Sequence, residues 1–228
     1  MKILVIGDSI GLPHFHCTRD EVEVAYEEVY PELLRRLLRT HFPEEDILLL
    51  NQCRHANTSH ALRTGAANEL LFLRPDVLIL QLGLTDLWPA EGRNVPPPVP
   101  EFANHDPWVP AERYRENFSH FLNFCSGFSS LSVILVNIPR VSGAQYRRYP
   151  VALERTHIYN EILRKLSAHP RVSQIDAFHL FERQGETAYT SDGIHPTAQV
   201  SLALANELFQ RIATPCDLMH NFNDEVFS

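Results

Sequence analysis

The 228-residue chain is short of several things, and each shortage closes off a class of protein. It has only four cysteines, Cys17, Cys53, Cys125 and Cys216, far apart and with no CxxC pair. Such spacing argues against a disulfide framework and for free, buried thiols. Positive charge is also in deficit, with 20 Lys and Arg against 28 Asp and Glu and a formal net charge of -8. No overall basic footprint for a nucleic-acid backbone exists, and the pairs Arg35–Arg36 and Arg147–Arg148 read as solvated faces. Long apolar runs are missing as well. None approaches the roughly 18 residues that span a bilayer. The N-terminal stretch Ile3–Ile6 falls far short of the roughly 7–15-residue core of a secretory signal. These absences lead to the expectation of a cytoplasmic protein with neither nucleic acid nor membrane among its partners.

What is present is an alternation. Short apolar runs (residues 2–8, 46–52, 76–83, 132–139 and 171–178) are separated by longer segments whose apolar residues recur at helical spacing. The helical segments are residues 30–42, 60–74, 112–128, 151–169 and 197–213, and Leu33, Leu34, Leu37 and Leu38 form a core-facing stripe in the first. Residues 76–83, DVLILQLG, are apolar on both faces, as a central parallel strand should be. The alternation predicts a parallel sheet with helices on both faces. No repeat or boundary divides the chain, so residues 1–228 read as one domain. Two segments stand outside the pattern. Residues 88–110 are proline-rich and aperiodic, either a wall or lid over a site or a surface excursion. The tail, residues 215–228, either packs or frays. Its Leu218, Met219, Phe222, Val226 and Phe227 cover the same chain or a partner.

Open α/β sheets bind ligands beyond the carboxyl ends of their strands, so the residues after each apolar run matter most. After the first comes Gly7-Asp8-Ser9, and Ser9 is a turn residue, a helix cap or a nucleophile. After the last, past a loop, comes Asp192-Gly193-Ile194-His195-Pro196. A serine hydroxyl is a poor nucleophile until an imidazole takes its proton, and a carboxylate fixes that imidazole's tautomer. Three residues on one tight turn bring Asp192 and His195 within reach of each other, and histidine as a residue type works near neutrality.

Taken together, GDSI at 7–10, GLTD at 83–86 and DGIHP at 192–196, each after a strand, resemble the blocks of the SGNH/GDSL hydrolase family. The resemblance covers nearly the whole chain. It implies a three-layer α/β/α sandwich with a flavodoxin-like parallel sheet of about five strands. It also implies a nucleophile at Ser9, a base at His195 and an orienting carboxylate at Asp192. The implied activity is carboxylic ester hydrolysis of a small ester, a short acyl group such as acetyl on a carbohydrate, with no metal and no cofactor. An acyltransferase using the same residues with a sugar or alcohol acceptor, and a catalytically weakened binding protein, are the alternatives. Two positions depart from the family blocks. Ala56 stands where the family offers a glycine N–H to the oxyanion, and Thr85 where it offers an asparagine amide. Ala56 keeps its N–H and is lost as a donor only if the turn needs a positive φ, while Asn57 is a neighbouring substitute.

Other residues invite chemistry less strongly. His14, His16 and Cys17 offer three neighbouring metal ligands with no obvious fourth, and the plainer reading is a loop lining the substrate entrance. Arg54, His55 and Arg140 fall on the same rim and suit an anionic or sugar-bearing substrate. Trp88 and Trp108 bracket the proline-rich segment and read as anchors for it.

Overall fold

A computed structural model of the chain describes residues 1–88 and 107–224, with side chains as far as Thr214. Five parallel strands form its sheet: β1 (Lys2–Gly7), β4 (Leu48–Asn51), β5 (Val77–Gln81), β6 (Ser132–Val136) and β7 (Val172–Ile175). Their spatial order is β4-β1-β5-β6-β7. The register places Leu4 beside Leu50 on one side and Leu78 on the other. Every residue of β5 is buried, as its unbroken apolar run requires. Two shorter strands, β2 (His14–Phe15) and β3 (Val22–Val24), form an antiparallel hairpin beside the sheet's carboxyl edge.

Helices cover both faces, giving the three-layer α/β/α sandwich. On one side α1 (Tyr30–His41), α8 (Ala177–Gln184) and α9 (Ala198–Asp224) pack together. On the other lie α2 (Ala61–Thr64), α5 (Ala111–Cys125) and α7 (Val151–Leu166). Pro31 sits in the first turn of α1, where its missing N–H costs nothing. Leu33, Leu34 and Leu38 are buried as a stripe against α9, each contributing about 1.5–3 kcal/mol of burial. On the opposite face the Tyr114 ring lies 4.7 Å from Phe118 and 4.8 Å from Tyr159. The Tyr114 hydroxyl donates to Leu82 O at 2.8 Å, tying α5 to the end of β5.

Because β1 connects leftward to β4 while all later strands add to the right, the crossovers reverse between β1 and β5. That is the switch point at which an open sheet leaves a crevice at its carboxyl edge. Ser9 follows β1 there.

Several elements differ from the sequence expectation. The helical segment 60–74 is interrupted at Gly65, whose backbone (φ -130, ψ -36) separates α2 from α3 (Ala66–Leu73). The fifth strand ends at Ile175 instead of running to Phe178. Asp176 caps α8, accepting the His179 N–H at 3.2 Å. Cys17 is exposed, whereas Cys53 and Cys125 are the buried free thiols expected. The tail begins as helix, since α9 continues to Asp224.

Trp88 and Trp108 pin the feet of the proline-rich segment. The Trp108 N–H donates to Trp88 O at 2.8 Å, Val109 N–H to Asp86 O at 2.9 Å, and the Trp88 ring meets Tyr149 edge-on at 5.0 Å. Its covering role falls on residues 89–106, outside the described residues. Among the described residues no helix is long and apolar enough to cross a membrane.

Candidate active site

Ser9 opens a 3-10 turn, Ser9–Gly11, directly after β1. The turn is held by Asp8, whose Oδ1 accepts the Ile10 N–H at 3.1 Å and the Gln81 amide at 2.9 Å. Asp8 is completely buried, and its Oδ2 has no hydrogen-bond partner among the described residues. Burial pushes its carboxyl up to about 6, against the pull of those two hydrogen bonds and of His195. Ser9 therefore stands on a carboxyl group that stays protonated well above the usual range.

The loop after α8 delivers the other two groups. His195 Nε2 lies 2.8 Å from Ser9 Oγ, and His195 Nδ1 lies 2.5 Å from Asp192 Oδ2. The loop conformation is fixed from within. Asp192 Oδ1 accepts the Ile194 N–H at 2.8 Å, the His195 N–H at 3.0 Å and the Thr190 hydroxyl at 3.0 Å. Burial works to raise the Asp192 carboxyl, but the hydrogen bond and charge of His195, with these backbone donors, hold it below the usual carboxylate range. Gly193 makes the turn possible with φ +72, and a Cβ there would sit 2.3 Å from Ser142 Oγ. The Ser142 N–H, at the N-cap of α6 (Gly143–Arg148), in turn donates to Gly193 O at 2.9 Å, and the Gln145 amide to Asp192 O at 2.5 Å.

A third imidazole joins them. His14, on the β2–β3 hairpin, stacks on His195 with ring centroids 4.3 Å apart and planes 20° from parallel. Its Nε2 lies 3.3 Å from Asp192 Oδ2 and 3.8 Å from Glu23 Oε2. The approach to Asp192 lacks the alignment of a hydrogen bond, so the buried Nε2 has no hydrogen-bond partner. Burial and the neighbouring His195 lower the His14 pKa, opposed by Asp192 and Glu23. Glu23 clamps the hairpin onto the loop, accepting the Ser191 N–H at 3.0 Å and the Ser191 hydroxyl at 2.8 Å. The trio His14, His16 and Cys17 does not assemble as a ligand set. His16 Nδ1 accepts the Thr18 N–H at 3.2 Å, and Cys17 turns toward Ser191.

The two departing positions are also placed. Ala56 adopts φ +53, the left-handed region that glycine enters freely, so the turn does need a positive φ, but the alanine takes it up and keeps its N–H on the turn. For a residue with a Cβ this costs about 1–2 kcal/mol. Asn57 is committed elsewhere, its amide donating to Gly7 O at 3.0 Å. Thr85 is the second residue of α4 (Leu84–Leu87), partly exposed, after Gly83 at φ +137. Asp86 beside it is buried, its oxygens receiving the Ser59 N–H and hydroxyl, the latter at 2.5 Å. Burial pushes the Asp86 carboxyl up to about 7 despite those bonds.

Of the three rim residues, Arg54 pairs with Glu69 at 2.9 Å and Arg140 with Glu182 at 2.6 Å, while His55 is exposed. Away from Ser9, a cleft of about 300 Å³ holds a second Asp-x-x-His pair. Asp176 Oδ2 and His179 Nδ1 are 2.6 Å apart there, but no serine lines that cleft. Only at Ser9 do hydroxyl, imidazole and carboxylate form one continuous chain among the described residues. Such a chain can take a proton from the hydroxyl as it attacks and return it to a leaving group.

Comparison with known proteins places the chain by family and fold. The profile of the GDSL-like lipase/acylhydrolase family matches residues 5–201. The fold is similar to a lipase/acylhydrolase from Enterococcus faecalis (TM-score 0.70, 19% identity, covering 92% of this chain and 94% of that one). It is similar also to an α/β hydrolase enzyme from the metagenome of Lake Arreo, Spain (TM-score 0.68, 21% identity, 92% and 93%). An acetylxylan esterase from Geobacillus stearothermophilus superposes as well (TM-score 0.67, 20% identity, 92% and 93%). No match was found among curated proteins. With the family profile matching residues 5–201, the chain belongs to the GDSL-like lipase/acylhydrolase family and is a carboxylic ester hydrolase.

Proposed function

We propose that the chain hydrolyses a small, short-acyl ester, with an acetylated carbohydrate as the favoured substrate class, through a Ser9–His195–Asp192 triad. The observation that carries this reading is the continuous chain of 2.8 Å and 2.5 Å contacts at the carboxyl edge of β1. With the Nδ1 proton held by Asp192, Nε2 is the acceptor for the Ser9 hydroxyl. Ser9 Oγ attacks the ester carbonyl carbon and its proton passes to Nε2. Asp192 stabilises the imidazolium, and Nε2–H then protonates the departing alcohol. Water repeats the sequence on the acyl-enzyme and releases the acid. Backbone N–H groups of Ser9 and Ala56, with the Thr85 hydroxyl, are the donors we assign to the oxyanion.

The carbohydrate-ester preference draws on the likeness to the acetylxylan esterase, at 20% identity. A cytoplasmic setting fits the buried free thiols Cys53 and Cys125. The test is hydrolysis of p-nitrophenyl acetate and butyrate, and acetate release from acetylated xylo-oligosaccharides, across pH 5 to 9. Ser9→Ala and His195→Ala should each lower the rate by about 10³-fold or more. Rates unchanged in both variants would refute the triad. Acetylated oligosaccharides turned over no better than simple esters would refute the substrate class.

A further inference from the structure

His14, Asp192 and His195 offer ligand atoms that all lie within 4.8 Å of one another, and Glu23 Oε2 stands 3.8 Å from the same His14 nitrogen. We propose that these four side chains form an inhibitory binding site for a zinc-class divalent cation, which takes Asp192 and His195 out of the catalytic chain. The proposal rests on the reading of Ser9, His195 and Asp192 as the triad and adds a regulator to it.

Three features of the geometry point to a cation. First, the His14 Nε2 is buried, without a hydrogen-bond partner, and 3.3 Å and 3.8 Å from carboxylate oxygens of Asp192 and Glu23. A divalent cation between that nitrogen and the two carboxylates would take the place of the proton such a position otherwise favours. Second, the 3.3 Å separation of His14 Nε2 from Asp192 Oδ2 matches the edge of a tetrahedral zinc site. With Zn–N bonds of about 2.0–2.1 Å and Zn–O bonds of about 2.0–2.2 Å that edge is roughly 3.3–3.5 Å. Third, two imidazoles and two carboxylates are a donor set that suits zinc and is poor for magnesium, which keeps oxygen ligands and water.

The contact between His195 and Asp192 explains why binding inhibits. His195 Nδ1 and Asp192 Oδ2 are 2.5 Å apart, a hydrogen bond too short to be an edge of the same coordination sphere. For both to ligate, His195 changes tautomer, its Nδ1 proton leaving to solvent while Nε2 takes one up, and the freed Nδ1 lone pair turns to the metal as the imidazole tips away from Asp192. That rotation carries Nε2 off Ser9 Oγ, now 2.8 Å away, and the base is lost. The ion is thus no cofactor. It competes with the proton that holds the Asp192–His195 pair together.

The test uses the full chain freed of metal by a chelator, with binding and activity read separately. Calorimetric titration of Ser9→Ala with Zn²⁺ should show one micromolar site. Adding His14→Phe, which keeps the stacked ring but removes the ligand nitrogen, should weaken that site at least tenfold. Glu23→Gln should weaken it as well, and Cys17→Ser should leave it intact. In the enzyme with Ser9 present, Zn²⁺ should inhibit at the same concentrations, each variant being compared with its own metal-free rate. Mg²⁺ at equal concentration should have no effect. No zinc site in Ser9→Ala, a site indifferent to either His14→Phe or Glu23→Gln, or a site lost in Cys17→Ser would overturn the proposal. A metal-free enzyme that hydrolyses no ester would instead overturn the triad reading, while calorimetry still decides the site.

Discussion

Replacing Asp8 with asparagine should change how stability depends on pH, and the size of the effect follows from where Asp8 sits. Its carboxyl is completely buried between Ile10, Gln81 and the start of the Ser9 turn, and burial pushes it from 3.8 up to about 6. In the unfolded chain the same group ionises near its ordinary value. The fold therefore prefers the protonated carboxyl. The stability this contributes is fully present below about pH 4 and is lost as pH rises through about 6. A shift of roughly 2 units corresponds to about 3 kcal/mol. Asparagine does not titrate, and its amide oxygen can keep the bonds that Oδ1 accepts from Ile10 and Gln81. The difference in unfolding free energy, native minus Asp8→Asn, should be flat below about pH 4 and fall by about 3 kcal/mol as pH rises from 4 to 7. Above that it should be flat again. Urea unfolding at half-unit pH steps measures the difference directly. The low-pH loss contributed by Asp192, whose carboxyl is depressed, is common to both proteins and cancels. Parallel stability curves from pH 4 to 8, or a difference of opposite sign, would refute the reasoning.

Other substitutions probe the turns that carry the site. Ala56→Gly should raise stability by about 0.5–1 kcal/mol, the relief of a left-handed alanine less the extra entropy of unfolded glycine. A lower melting temperature would contradict it. Gly193→Ala forces a Cβ to within 2.3 Å of Ser142 Oγ at φ +72. It should cost about 2–4 kcal/mol in urea unfolding and at least tenfold in esterase rate, because Asp192 and His195 flank that turn. Thr85→Asn should raise kcat on p-nitrophenyl acetate by about tenfold or more, since one well-placed oxyanion donor is worth several kcal/mol. An unchanged kcat would move the oxyanion away from residue 85.

Much of this architecture is legible in the sequence because the physics behind it is local. A strand buried on both faces must be apolar throughout, so DVLILQLG announces β5. An amphipathic helix must repeat its apolar residues every three or four positions, so the Leu33–Leu38 stripe announces α1. The Ser9, Asp192 and His195 constellation is readable for a different reason: Ser9 follows β1 directly, and Asp192 and His195 share one short block, which the structure places after α8 and before α9 and not at a strand end as the sequence suggests.

What escaped lies in contacts that no period encodes. The pairing of His14 with His195 joins residues 181 positions apart through a hairpin of two and three residues, too short to leave a pattern. Asp8 and Gln81 meet across neighbouring strands, and their burial is invisible until the strands pair. Asp176 was readable in principle: a carboxylate followed by AFHLFERQ is a helix cap, yet the preceding β-branched residues drew the strand onward. That residue also shows why spacing alone is insufficient. Asp176-x-x-His179 repeats the Asp192-x-x-His195 interval and forms the same side-chain contact, but lacks a serine in its cleft.

The most direct test of the central claim is covalent. A fluorophosphonate probe should label the native protein once, and peptide mass spectrometry should locate the adduct at Ser9. Labelling should disappear in His195→Ala and after unfolding in urea, because the hydroxyl becomes a nucleophile only when the folded chain holds the imidazole 2.8 Å away. No adduct on the native enzyme, an adduct at another residue, or equal labelling of folded and unfolded chains would contradict it.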